Sequence, residues 1–244
     1  MFHEGTVALS VAFLALFPIA AYLIGGINPA IVLSNLIYHK DIRTVGSKNP
    51  GFTNFKRVFG SKYAWFVFFL DIGKSALVCG LAKWLFGRYF GEGQFGVAYT
   101  GLFAMLGHSY PVWYRFKGGK GFLVAAAAIW FIDWRVALIA TVIMLTLLFT
   151  VRFMSLSVIV AGFSCPISLA CFGFEGGWVT MNVATFACVV LAVLLMTYRH
   201  KANIKRLFAG TESKFSLFSK KGKTTEKPDA KTETETQPSD ESRN

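Results

Sequence analysis

Seven apolar runs, residues 7–27, 63–86, 95–113, 122–131, 136–151, 156–174 and 178–198, follow one another along the chain with short polar breaks. A helix needs about twenty apolar residues to cross a hydrocarbon core of about 30 Å, and a water-soluble domain has no use for such runs in series. Six of the seven reach or approach that length. The fourth spans only if the residues around Gly118 extend it. Composition agrees: 54% of the chain is apolar, and its mean hydropathy is +0.50, where soluble domains are about 45–50% apolar. The expected fold is an all-α polytopic integral membrane protein.

The first run is not preceded by a basic segment or followed by a small-residue cleavage pattern, so it reads as a retained helix and not as a secretory signal. Cys79, Cys165, Cys171 and Cys188 all lie in apolar runs without CxxC spacing and read as small buried hydrophobes. No metal, disulfide or cofactor is expected. From Lys220 to Asn244 the chain is mainly Lys, Glu, Thr and Ser, with two prolines and no aromatic. Residues 215–244 are expected to form a disordered charged cytosolic tail behind a membrane domain of residues 1–214.

A net charge of +12 on so apolar a chain points to membrane topology and anionic lipid headgroups, with no nucleic acid implied. Basic residues concentrate in three polar segments: 40–62, 114–122 and 199–214. The other connections are nearly free of them. With seven spanning helices the basic segments follow the first, third and seventh, so all lie on the cytosolic face and the N-terminus lies outside. Six helices would put the third segment on the wrong side.

Each basic segment has its own chemistry. In the first, Gly46, Gly51, Asn49 and Asn54 permit turns that aim backbone N–H groups inward. Ser47 and Thr53 add hydroxyls, and Arg43 and Arg57 add charge, which together make an anion nest. No GxxxxGK[ST] nucleotide loop occurs. In the second, Gly118, Gly119 and Gly121 surround Lys120 at the start of a helix, where N-terminal amides favour anions. His108, just upstream, reads as a structural histidine. In the third, His200 and Asn203 are three apart and share a face of a continuing helix, a pairing suited to a polyol. Asp71 and Lys74, also three apart, can pair inside the second apolar run, either as a neutralised structural pair or as part of a site lining. Phosphates and hydroxyls at a lipid boundary are the chemistry of glycerophospholipid assembly.

These segments read Gly46-Ser47-Lys48-Asn49-Pro50-Gly51-Phe52-Thr53-Asn54 with Arg57, then Gly107 through Gly121, then Arg199 through Glu212. In order and spacing the chain resembles the bacterial glycerol-3-phosphate acyltransferases that take acyl phosphate as donor (the PlsY family). Their pattern is GSxNPGATN with a following Arg, GHxxPxxxxFKGGKG, and RHxxNIxRLxxGxE. The resemblance runs over roughly residues 10–214. It implies a seven-helix bundle in the bacterial cytoplasmic membrane, with its pocket open to the cytosol. It places Ser47, Arg57 and Lys120 at phosphate groups, with Asn49, Thr53 and Asn54 shaping the nest. His200 and Asn203 fall at the glycerol phosphate acceptor with Glu212 nearby, and Asp71 and Lys74 take a supporting role.

The departures are Lys48 for a usual Gly, Phe52 for Ala, Phe122-Leu123-Val124 for Val-Ala-Thr, and Gly26-Ile27-Asn28-Pro29 for Gly-Ser-Ile-Pro. The implied reaction joins acyl phosphate and glycerol 3-phosphate, among membrane lipids and with no obligate protein partner. Either the donor's phosphate or His200 serves as base; no HxxxxD box is present, since Trp113 stands five residues after His108. The alternatives are a transporter of phosphorylated solutes, which would place polarity near the bilayer midplane, and the same transfer from acyl carrier protein or coenzyme A thioesters.

Overall fold

A computed structural model describes residues 4–173 and 182–215. Among these residues the fold is wholly helical: α1 (Glu4–Gly26), α2 (Pro29–Tyr38), α3 (Phe52–Phe59), α4 (Ser61–Phe90), α5 (Gly93–Ser109), α6 (Phe122–Ile132), α7 (Trp134–Thr150), α8 (Met154–Gly173), α9 (Val183–Arg199) and α10 (Lys201–Phe208). Each apolar run carries a helix. By length and composition three stretches can cross a membrane: residues 7–38, α4 and α8. A fourth is added if α9 and α10 count as one bent span. Residues 216–244 of the expected tail and the connection 174–181 lie outside the described residues, whereas Phe215, the first residue of that tail, is held in place by contacts with Arg152 and Lys56.

The fourth run is shorter than a span. Residues 115–121 do not extend α6, because Arg115 and Phe116 adopt φ of 57° and 59° and Gly121 enters the helix at φ 78°. The 11 residues of α6 cover about 16 Å at 1.5 Å per residue.

One helix, α3, forms inside a segment that reads as a loop. In α3, Phe52, Phe55 and Phe59 recur at helical spacing, and Phe55 is fully buried beside Ile31, Ile42 and Val67. This small core holds the first basic segment against α2 and α4. The larger core joins α4, α5, α6, α7, α8 and α9, with Ala21 of α1. There α1 crosses α5 closely, since a Cβ on Gly25 or Gly107 would collide with the backbone at Ala104 or Tyr22. Small residues are what let membrane helices approach this near.

Between α1 and α2 the chain breaks at Ile27-Asn28. Pro29 opens α2, where its missing N–H costs nothing. Asn28 Oδ1 accepts from Ile31 N at 3.0 Å, and its Nδ2 donates to Pro50 O at 3.1 Å. The carbonyls freed by the break, Gly25 O and Ile27 O, accept from Lys74 Nζ at 2.9 and 2.6 Å. A polar side chain thus satisfies backbone that lipid could not.

Candidate active site

Residues from α3, α4, α6, α7, α8 and the chain after α9 enclose a cavity of about 640 Å³. Its polar lining comes from loops and helix ends: Ser47, Arg57, Lys120, His200, Asn203 and Glu212. Its apolar lining follows α4 and α7 and includes Trp65, Phe68, Leu145 and Leu148. All three basic segments therefore meet at one place, against walls that suit a hydrocarbon chain.

The first segment is built around Asn54. Its buried Oδ1 accepts from Ser47 N at 2.8 Å, and its Nδ2 donates to Val45 O at 3.1 Å and Ile42 O at 3.4 Å. Gly46 turns at φ 59° with its Cα against Asn54, so a side chain there would collide with the carboxamide. Lys48, where a glycine is usual, also sits in the left-handed region at φ 58°, which explains that usual glycine. Gly51 is extended and caps α3. Gly46, Ser47, Asn49, Gly51, Thr53, Asn54 and Arg57 all line the cavity. Arg43 does not: its Nε and Nη2 bond Asp41 at 3.0 and 2.7 Å, and its Nη1 donates to Tyr114 O at 3.1 Å. That pairing holds the Asp41 carboxyl below the usual range, and Arg43 is spent on fixing the loop.

In the second segment, Lys120 Nζ donates to Asn203 Oδ1 at 2.6 Å. Burial pushes the Lys120 ammonium down to about 8, against the pull of Glu212. Gly118 and Gly119, expected to approach a ligand, instead approach His108. A Cβ on Gly118 would strike His108 O, and one on Gly119 would strike the imidazole. Gly119 N donates to His108 O at 3.0 Å. From the other side, Arg199 Nε and Nη2 donate to Gly119 O at 3.0 Å and Gly118 O at 2.9 Å, while its guanidinium lies 4.7 Å from the Tyr110 ring centroid. The two peptides before Lys120 are clamped between α5 and α9, and only Lys120 and Gly121 of this loop face the cavity.

The third segment is not one continuous helix: α9 and α10 meet at an angle of 58°, with His200 at the corner. His200 and Asn203 nevertheless face the same cavity. His200 Nδ1 lies 2.8 Å from Met196 O; a carbonyl only accepts, so Nδ1 carries the proton and Nε2 is an acceptor. Burial, with the Lys120 charge second, pushes His200 down to about 4, and the ring is neutral at pH 7. Glu212 Oε1 accepts from Asn203 Nδ2 at 2.6 Å and Ser155 Oγ at 2.8 Å, and its Oε2 from Arg206 Nε at 2.7 Å. Burial opposes the Glu212 charge, but these donors outweigh it and hold the carboxyl below its ordinary range.

Asp71 and His108 close the inner wall, with Lys74 behind them. Asp71 Oδ1 is 2.8 Å from Lys74 Nζ and 3.4 Å from His108 Nδ1, yet receives no well-aligned hydrogen bond. The Lys74 ammonium has three hydrogens, and they serve Gly25 O, Ile27 O and His108 Nδ1, the last at 3.2 Å. The pair expected from spacing is therefore both a neutralised pair and an anchor for the broken first helix. Among the described residues no group of three or more His, Cys, Asp or Glu is placed to hold a metal.

Ser155 and Phe215 line the cavity without having been singled out in the sequence, and Arg206 lines it without an assigned role. Arg206 stands three residues after Asn203, so helical spacing was a usable signal. Ser155 had none: its partner Glu212 is 57 residues away.

Comparison with known proteins bears on the whole arrangement. A family model described as glycerol-3-phosphate acyltransferase matches residues 15–210. The chain is 38% identical over 203 residues to the glycerol-3-phosphate acyltransferase of Aquifex aeolicus, covering 83% of this chain and 98% of that one. It is 34% identical over 201 residues to that of Staphylococcus haemolyticus, covering 80% and 95%. Its fold is similar to the crystal structure of PlsY, an integral membrane glycerol 3-phosphate acyltransferase, in the glycerol 3-phosphate form. The TM-score is 0.74 at 34% identity, covering 83% of this chain and 96% of that chain. The lysophosphatidic acid form of PlsY gives 0.71 at 33% identity, covering 83% and 95%.

Proposed function

The chain belongs to the glycerol-3-phosphate acyltransferase family and is an acyltransferase; we propose that it carries a fatty acyl group from acyl phosphate to the 1-hydroxyl of sn-glycerol 3-phosphate. The hydroxyl oxygen attacks the acyl carbon, the bond from that carbon to the phosphate oxygen breaks, and the hydroxyl proton passes to the departing phosphate. The products are lysophosphatidate and inorganic phosphate. The donor is a mixed anhydride and already activated, so no enzyme nucleophile is needed.

What the protein supplies is the holding of two anions close together. The Ser47 hydroxyl and the Arg57 guanidinium take the donor phosphate, and Lys120 with Asn203 takes the acceptor phosphate. Such orientation contributes up to about 7–11 kcal/mol in favourable cases. A histidine at about 4 is a weak base at neutral pH, which favours the donor phosphate as proton acceptor. His200 Nε2 then orients the acceptor by receiving a hydroxyl hydrogen bond.

The observation that carries this reading is the chain of bonds Lys120–Asn203–Glu212 across the wall that Ser47 and Arg57 share. It supports the reading because Lys120 and Asn203 then share one cavity with Ser47, Arg57 and His200, beside an apolar wall. The same reading includes seven spans, an external N-terminus, a cytosolic cavity and residence in a bacterial cytoplasmic membrane. Purified protein with radiolabelled glycerol 3-phosphate should form lysophosphatidate from acyl phosphate and not from acyl carrier protein or coenzyme A thioesters. Product from a thioester alone would reassign the donor.

A further inference from the structure

The large apolar residues lining the cavity belong to α3, α4, α6, α7 and α8, with one exception, Phe215. It follows α10, beyond residue 210 where the family match ends. Three features place it there. Gly210, at φ 67°, turns the chain back after α10, and Glu212 then ties the returning segment to Ser155, Asn203 and Arg206. Phe215 N donates to Arg152 O, in the turn between α7 and α8, at 2.6 Å. Its ring centroid lies 5.4 Å from Nζ of the buried Lys56 on α3. Residues 210–215 thus run as a strap from Ser155 and Asn203 to Arg152 and Lys56, and the ring adds an apolar face to the cavity on a segment whose other lining residues, Glu212 and Ser213, are polar.

We propose that Phe215 positions the reactants by roofing the rim against water, so that the acyl carbon meets the acceptor hydroxyl and not a solvent molecule. The inference rests on acyl phosphate being the donor. A mixed anhydride faces two oxygen nucleophiles. Attack by the glycerol 3-phosphate hydroxyl gives lysophosphatidate and phosphate, whereas attack by water gives free fatty acid and phosphate, the acyl–phosphate bond breaking in both. Anion-holding groups that assist one attack assist the other, and exclusion of water is what separates them. An aromatic ring fits this task because it covers a wide area while its face accommodates the Lys56 cation.

The test is the partition of label from acyl-labelled acyl phosphate between lysophosphatidate and enzyme-dependent fatty acid, at limiting and saturating glycerol 3-phosphate. In Phe215→Ala the fatty-acid share should rise severalfold over the parent, most at limiting acceptor, and Phe215→Tyr should restore the parental partition. Phe215→Leu keeps apolar bulk without the ring and should fall between; it carries the same readout if the alanine variant purifies poorly. An unchanged share in the alanine and leucine variants, or parallel loss of both products, would overturn the proposal. A parent protein that makes no lysophosphatidate from acyl phosphate would instead overturn the donor assignment beneath it.

Discussion

At the scale of single residues, Lys120 is the side chain whose surroundings most constrain the chemistry. Its position in a glycine-rich basic stretch was legible in the sequence. That Asn203 receives its ammonium was not, because the partners are 83 residues apart and meet only when α9 bends. Arg43 is the opposite case: its partner Asp41 stands two residues away, and that local pairing is why it leaves the nest to Arg57. With Lys120 pushed down to about 8 by burial, its ammonium is intact below that pH and is lost as pH rises through it. On the proposed reading, the charge that attracts the acceptor phosphate goes with it. The ratio kcat/KM for glycerol 3-phosphate reports the free enzyme, so it should fall above about pH 8. The turnover number should fall less, since a bound phosphate dianion holds the proton on. Lys120→Arg stays charged at every such pH. That variant should be slower, because a planar fork replaces a compact ammonium, but without the descending alkaline limb. A limb that persists in Lys120→Arg would remove Lys120 from this role.

At the scale of elements, long apolar helices were readable because twenty residues of one character leave a plain signal, and short ones were not. The eight residues of α3 lie in a segment whose glycines and charges argue for a loop; its helix depends on Phe55 finding Ile31 and Val67, a tertiary contact. The short α6 likewise follows from left-handed turns at Arg115, Phe116 and Gly121. The break between α1 and α2 was half legible, since an Asn-Pro step opens a new helix; that Lys74 of α4 would satisfy its loose carbonyls was not. This last contact yields a test of how α1, α4 and α5 hold together. Asp71 is 1% exposed and Lys74 9%, so Asp71→Ala leaves a buried cation without its counter-charge and should cost about 3–5 kcal/mol. Adding Lys74→Met removes that cation and leaves Gly25 O without a donor, at about 1–3 kcal/mol for a buried group, whereas Ile27 is an exposed residue whose carbonyl loses less. The double variant should therefore lie between Asp71→Ala and the parent in chemical unfolding in detergent. Additive losses would mean that the two charges do not depend on one another.

At the scale of the whole molecule, the three basic segments gather around one cavity although two helices separate the first from the second and four separate the second from the third. Even numbers of crossings return a chain to the face it left, whatever the length of each helix. The short α6 therefore does not disturb the parity, provided that α6 and α7 enter and leave together. Two contacts mark the opposite end of the bundle. Asn182 Nδ2 donates to Glu92 Oε2 at 2.6 Å, and Gln94 Nε2 to Ile132 O at 3.4 Å. They draw together the connections before α5, between α6 and α7, and before α9, each one crossing away from a basic segment. The turn at Arg152 lies with the basic segments, where Phe215 N reaches its carbonyl, as alternation from residue 121 requires. Charge bias gives a topology to test, because lysine and arginine mark the cytosolic side; the convergence of the segments on one cavity needed the packing of α5 against α1, α4, α6 and α9. With the seven crossings proposed, a reporter fused after Lys214 should be cytosolic, and one inserted between Gly91 and Gly93 should be external. A cysteine replacing Arg152 should be reached by a membrane-impermeant thiol reagent from the cytosolic side alone. If the Lys214 and Gly91–Gly93 reporters lay on the same side, an odd number of crossings would separate the second basic segment from the third, and the cavity could not collect both.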